Sequence, residues 1–365
     1  MTSENELYSI IERFLPGECA HGSIALPYGR GHINDTYRVA ASGREYILQR
    51  VNTSVFTDPD ALSENIEAVS EWIRRKASLL GGDPDREALK MLKCDDGKAY
   101  CRDSEGGVWR MRLFVKNTKS VDFVETLDQF REIGRTFGNF RRQLSDFPVG
   151  TLHETIPNFH NTPLRFDAFR SALEADKFNR AYCVSREAEE LLKREDFSKT
   201  LTSLEADGTL KPSVTHNDTK VNNVLLDEKT GRGVCVIDLD TVMPGLSVND
   251  FGDSIRSGTN TGAEDESDAS RVSCSLELYR AYTEGFLAGT AGELTNAEIE
   301  NLHVGAMMMT YECALRFLTD FLSGDVYFKT SYDGQNLSRC RSQLALLSDM
   351  EKKSDEMLKI AREFA

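Results

Sequence analysis

Ser213-Val-Thr-His216-Asn-Asp218-Thr-Lys220-Val-Asn-Asn223-Val-Leu-Leu226, followed after a glycine-punctuated turn by Val234-Cys-Val-Ile-Asp238, is the stretch on which the reading of this chain turns. It reads as strand, polar loop, strand, a turn at Gly231 and Gly233, strand, and acid. The polar residues fall in the order that phosphoryl transfer from a magnesium nucleotide requires. Asp218 is placed to take a hydroxyl proton. An amide oxygen at Asn223 and a second carboxylate at Asp238 can hold the metal ions that bridge the phosphates. Asn- and Asp-rich stretches also occur as plain turns, because their side chains bond their own backbone. Here the complete, ordered set of parts favours the chemistry over a decorated turn.

Working outward toward the N-terminus, residues 24–52 read as a β-hairpin with a glycine-rich tip, Gly29-Arg-Gly31-His32-Ile-Asn34. Taken alone, two glycines signify no more than a turn. Ahead of the Asp218 loop they become a candidate phosphate-covering segment, with Gly29 and Gly31 letting backbone amides approach and Asn34 tolerating a positive φ. The strand Tyr46-Ile-Leu-Gln49 then puts Gln49 where a phosphate-binding lysine is expected, and alternation sends Arg50 to the opposite face. Asp58-Pro59 starts a helix on which Glu67 is either the expected partner of that strand cation or a surface residue.

Toward the C-terminus, Asp240 shares the side of Asp238 and is a candidate assistant at the metal or the substrate. Asp250-Phe-Gly lies too far along to be the metal acid, so Asp250 is expected to brace the catalytic loop through backbone amides. Beyond Thr126, helical periodicity dominates: residues 126–144, 164–206, 265–290, 295–322 and from about 338 onward. The reading is α+β and bilobal, with a small β-rich N-lobe over residues 1–116 and a larger, mostly helical C-lobe over 117–365.

With 44 basic and 59 acidic residues, a net charge of −15 argues against nucleic acid or an anionic membrane as partner. The eight cysteines are scattered without a Cys-x-x-Cys pair, so neither a disulfide framework nor a zinc ribbon is indicated. The polar, acidic start and the lack of a long apolar run lead to the expectation of a cytoplasmic protein.

Nearly the whole length resembles the aminoglycoside-phosphotransferase and choline-kinase branch of the protein-kinase-like superfamily. The resemblance is carried by Tyr28-Gly-x-Gly-His-Ile-Asn34, Thr215-His-Asn-Asp-Thr-Lys-x-Asn-Asn223, Ile237-Asp-Leu-Asp-Thr241, Met243-Pro-Gly245 and Asp250-Phe-Gly-Asp-Ser254. It continues through Glu312-Cys-x-x-Arg316-Phe-Leu-x-Asp320 and Gly324-Asp-x-Tyr327-Phe328. Within that branch the chain is similar to the bacterial N-acetylhexosamine 1-kinases, which also carry glutamine at the position of Gln49. The resemblance implies ATP and Mg2+ as cosubstrate and cofactor, and transfer to the anomeric hydroxyl of GlcNAc or GalNAc. It also implies that His32, Asp218, Arg316 and Tyr327 contact the sugar, and that Gly29, Gly31, Asn34 and Gln49 contact the nucleotide. From the residues alone, Arg316 reads more simply as an i,i+4 partner of Glu312. Two rival readings are a kinase for another small molecule on the same fold and a nucleotide-binding pseudokinase, the latter suggested by the missing lysine.

Overall fold

The computed structural model describes residues 4–17, 24–29 and 34–365, so Gly31 and His32 lie outside the described residues. The chain divides into two compact units. One comprises residues 1–119, 146–157 and 225–243, and the other 120–145, 158–224 and 244–365. The sequence reading drew a single boundary, after residue 116. The chain instead returns twice to the first unit, and the second return carries Asp238. That return is explained by pairing: β6 (Thr118–Lys119) joins β8 (Val224–Asp227), which is followed in the same small sheet by β9 (Gly233–Val236).

In the smaller unit, β1 (Ile24–Pro27), β2 (Asp35–Ala41), β3 (Arg44–Val51), β4 (Cys101–Arg102) and β5 (Val108–Leu113) form an antiparallel sheet in the order β1-β2-β3-β5-β4. Alternation sorts each strand by face. Val39, Tyr46, Leu48, Trp109 and Met111 turn to one side and pack with α1 (Glu4–Phe14). This helix was not anticipated from the sequence, although Leu7, Ile10, Ile11 and Phe14 recur at helical spacing and are all buried. The other face carries Thr36, Gln49 and Arg110, which stand opposite one another across three strands. Helix α2 (Pro59–Leu79) begins as expected, with the Asp58 carboxylate accepting from Ala61 N and proline in the first turn. A short turn of helix, α3 (Pro84–Glu87), follows.

The larger unit is helical: α4 (Leu127–Gln143), α5 (Thr162–Ala175), α6 (Ser185–Leu192), α7 (Glu195–Ser198), α8 (Thr200–Ala206), α9 (Ser247–Gly258), α10 (Leu276–Thr290), α11 (Asn296–Leu322) and α12 (Gln335–Glu363). The expected helix over 164–206 is broken into pieces. The stretch 265–275 is not α-helical: Asp268 caps a short turn by accepting from Ser270 N, and α10 starts only at its N-cap, Ser275. Short polar side chains that bond their own backbone compete with helix in this way.

Two helix pairs meet backbone to backbone. A Cβ on Gly134 or Gly138 of α4 would stand 2.5 Å from Tyr282 O or 2.2 Å from Phe286 O of α10. One on Gly285 or Gly289 of α10 would stand 1.9 Å from Arg131 O or 2.3 Å from Arg135 O of α4. Gly252 of α9 and Gly305 of α11 make the same kind of contact. Only a residue without a Cβ fits there. α9 is wedged against α10 by the ring cluster of Phe251, Tyr279, Tyr282 and Phe286. Among the described residues no helix is long and apolar enough to cross a membrane.

Candidate active site

In the larger unit, β7 (Ser213–Thr215) delivers the chain to the loop His216–Lys220. The loop takes its shape from below. Both oxygens of Asp250, on α9, accept backbone amides: Oδ2 from His216 N and Oδ1 from Asn217 N, each at 2.7 Å. Thr219 Oγ1 donates to Asp250 O, Ser254 Oγ donates to Thr219 O at 2.6 Å, and Tyr282 OH donates to Ser254 Oγ at 2.7 Å. Asp250 therefore braces the loop as the sequence suggested, and burial raises its pKa despite those two amides. Asn217 takes the left-handed conformation at φ 62°, which asparagine tolerates better than most residues. Gly245 closes over the loop, since a Cβ there would stand 2.4 Å from Thr215 Oγ1. His216 is fully buried edge-on to Phe137 and Phe140, and its Nδ1 accepts from Asp218 N at 3.3 Å.

Asp218 meets two partners on its own loop. Asn223 Nδ2 donates to Asp218 O at 2.8 Å and to Oδ2 at 3.3 Å. Lys220 Nζ lies 2.8 Å from Oδ1. Burial pushes the Asp218 carboxyl up, but the half-exposed Lys220, with smaller help from His216 and Arg256, outweighs it, so the net shift is downward. Asp218 is thus an ionised carboxylate at neutral pH, the form that can orient and accept a proton. Lys220 stood in the opening stretch without a role, and its position two residues beyond the acid was the available signal.

Farther along α11, Glu312 is taken not by Arg316 but by His160 Nδ1 at 2.9 Å and Thr162 Oγ1 at 2.8 Å. This removes the helical-pair reading of Arg316. The Arg316 guanidinium instead lies over the rings of Phe159, Tyr327 and Phe328 at 5.9, 5.6 and 5.4 Å, and donates to Tyr327 OH at 3.3 Å. Asp320 holds the segment beyond α11 by accepting Val326 N, Tyr327 N and Phe328 N at 3.0, 2.8 and 2.9 Å. Arg316 and Tyr327 are therefore brought together, with Tyr327 60% exposed.

In the smaller unit, Gly29 sits at φ 77°, and among the described residues a Cβ there would meet nothing within 4 Å. Asn34 lies just before β2. Its side chain is what matters, accepting Asn52 N at 2.9 Å and donating to Asp240 Oδ2 at 2.7 Å. Asp240 is likewise held within the protein, its other oxygen 2.5 Å from Arg110 Nη1. Gln49 Oε1 accepts from Arg110 Nε and Nη2 at 3.1 and 2.9 Å, and Gln49 Nε2 donates to Thr36 Oγ1 at 3.1 Å. Arg50 does not reach round: it lies beside Asp103 and over Trp109 on the other face. Glu67 pairs with Lys93. Asp238, φ 62° and ψ 57°, ends the β9 segment in the left-handed conformation. Arg110 escaped the sequence reading. The trace it left was a pair of arginines, at 110 and 112, inside an otherwise apolar strand.

A β-sheet region followed by a helical region, with a His-x-Asp loop held from beneath by a buried aspartate, defines a phosphotransferase of the kinase-like fold. The chain belongs to the phosphotransferase enzyme family (APH), which it matches over residues 25–284. Among solved structures it is similar to a microcompartment-associated aminopropanol kinase, at 15% identity and TM-score 0.59 over 97% of this chain and 98% of that one. An aminoglycoside phosphotransferase from Alicyclobacillus acidocaldarius matches at 12% identity and TM-score 0.61, over 97% and 95% of the two chains. A spectinomycin phosphotransferase in complex with ADP and spectinomycin matches at 13% identity and TM-score 0.52, over 94% and 93%. At these identities the likeness establishes the fold.

Proposed function

We propose that this chain transfers the γ-phosphoryl group of ATP to the anomeric hydroxyl of an N-acetylhexosamine, GlcNAc or GalNAc, giving the sugar 1-phosphate. The observation that carries the reading is Asp218: an ionised carboxylate, bonded by Asn223 and Lys220, on a loop whose backbone is fixed by Asp250. Such a group orients the acceptor hydroxyl and takes its proton as the bond to phosphorus forms, and most of the catalysis is positioning and charge neutralisation. The similar spectinomycin enzyme binds ADP, in line with a nucleotide cosubstrate here.

Magnesium, when bound, neutralises charge on the phosphates. Asn223 and Asp238 are the residues that would hold it. Asn223 commits its amide nitrogen to Asp218, which leaves its oxygen, a hard donor suited to this ion. No group of three His, Cys, Asp or Glu side chains forms a metal cage among the described residues.

For the acceptor, Arg316 and Tyr327 offer guanidinium donors, a hydroxyl and a ring, which suit sugar hydroxyl and acetamido oxygens. A cation at that place disfavours the positively charged acceptors named for the aminopropanol and aminoglycoside enzymes. The deciding assay is ADP release from Mg-ATP with GlcNAc, GalNAc, galactose, aminopropanol and kanamycin as separate acceptors, with phosphorus NMR of the product. A 1-phosphate from the acetamido sugars is expected. Turnover confined to aminopropanol or kanamycin would replace the acceptor while keeping the kinase. Asp218→Asn is expected to lower turnover by about a thousandfold with nucleotide binding retained, and near-normal turnover would remove Asp218 from its role.

A further inference from the structure

In protein kinases the phosphates are steadied by a strand lysine paired with a helix glutamate. Here that strand position is the neutral Gln49, and Glu67 is engaged by Lys93. A buried cation stands behind the glutamine. Thr36, Gln49 and Arg110 are directly opposite one another on β2, β3 and β5, so their side chains rise from the same face. Arg110 is 6% exposed, whereas Gln49 is half-buried. A guanidinium has donors only, so the amide must turn its oxygen toward Arg110. That fixes the orientation of Gln49. Its nitrogen faces the other way, with one N–H donated to Thr36 Oγ1 and, among the described residues, the second N–H left for an acceptor from outside.

We propose that Arg110, braced by Asp240 and acting through the Gln49 amide, supplies the positive charge of the nucleotide phosphate site, so that the pair Arg110–Asp240 does in this chain what a lysine–glutamate pair does in protein kinases. The inference rests on the nucleotide-kinase reading above and adds its phosphate recognition. Arg110 is a positioning residue. It holds the amide in the donor orientation and polarises it, which strengthens the outward N–H as a hydrogen bond to a phosphate oxygen. Asp240 is held in turn by Asn34, whose Nδ2 donates to Asp240 Oδ2 at 2.7 Å.

The test is calorimetric binding of ADP, GDP and adenosine to the full chain without acceptor, using wild type, Arg110→Gln, Gln49→Leu and the double variant. Each single variant is expected to weaken diphosphate binding at least tenfold and to leave adenosine affinity within about twofold. The double variant should be no weaker than the worse single one, because the two residues act in series. Additive losses would overturn action through Gln49. Unchanged ADP affinity in a folded Arg110→Gln protein would overturn the inference altogether. Because that variant strands the buried Asp240 and so risks misfolding, Gln49→Glu is the second probe. It keeps Arg110 paired, and the proposal expects ADP binding to be lost with adenosine binding retained; wild-type ADP affinity there would also overturn it. A wild-type chain that binds neither diphosphate would end the kinase reading first, and this inference with it.

Discussion

In the larger unit the His216–Lys220 loop is held by its backbone: Asp250 accepts two main-chain amides, and the Thr219 and Ser254 hydroxyls donate to main-chain oxygens. In the smaller unit side chains hold side chains, through the run Thr36–Gln49–Arg110–Asp240–Asn34. The first arrangement fixes where a carboxylate stands whatever the neighbouring side chains are. The second makes each member's orientation depend on the chemistry of the next. Substitutions should therefore act locally and severely in the larger unit, and propagate along the chain of polar groups in the smaller one.

The largest effect is expected where backbones touch. Gly285→Leu must displace Arg131 O, 1.9 Å from its Cβ. We expect a loss of more than about 3 kcal/mol or no folded protein, read by urea unfolding. Near-native stability would show that α4 and α10 can part, and that the backbone-held scaffold is softer than described. Next comes Asp250→Ala, which leaves two buried amides without their acceptor at about 1–3 kcal/mol each. Turnover should fall about a hundredfold or more while nucleotide affinity changes little, a split that steady-state kinetics resolves.

Lys220→Met acts through protonation. Burial alone raises the Asp218 carboxyl, and Lys220 is the largest influence holding it below the usual carboxylate range. The ionised form of the wild type therefore survives as pH falls past that range. Without Lys220 protonation begins at higher pH, and the acid limb of the turnover profile moves up. An unmoved limb would mean that another group sets it. The smallest effect is expected for Gly29→Ala. Among the described residues its Cβ meets nothing within 4 Å, and the left-handed φ costs about 1 kcal/mol. Two glycines of one chain would then differ severalfold in cost for separable reasons, contact in one and conformation in the other.

The parts of the candidate site that follow one another along the chain were legible in the sequence as local elements. The Asp218 loop, the strand ending near Asp238 and the hairpin with Gln49 each announce themselves by local pattern. What could not be read is whatever depends on partners brought together by folding. Gln49 and Arg110 are 61 residues apart, and only the strand register makes them neighbours. Arg316 and Glu312 have the spacing of a helical pair, yet His160 and Thr162 claim the carboxylate from a distant segment. Asn34 bonds through its amide to Asn52 and Asp240, 18 and 206 residues along the chain, partners that no local pattern names. The close helix contacts were invisible because a glycine in a helical pattern gives no sign of what lies opposite.

The debt of the Asp218 loop to Asp250 also bears on synthesis. The two amides that shape it wait for an acceptor encoded 33 and 34 residues later. A nascent chain halted between Asn223 and Asp250 carries every residue of the loop and lacks the carboxylate on which it is moulded. The segment thus emerges from the ribosome complete in composition and without its final shape, and it acquires that shape only when α9 follows it out.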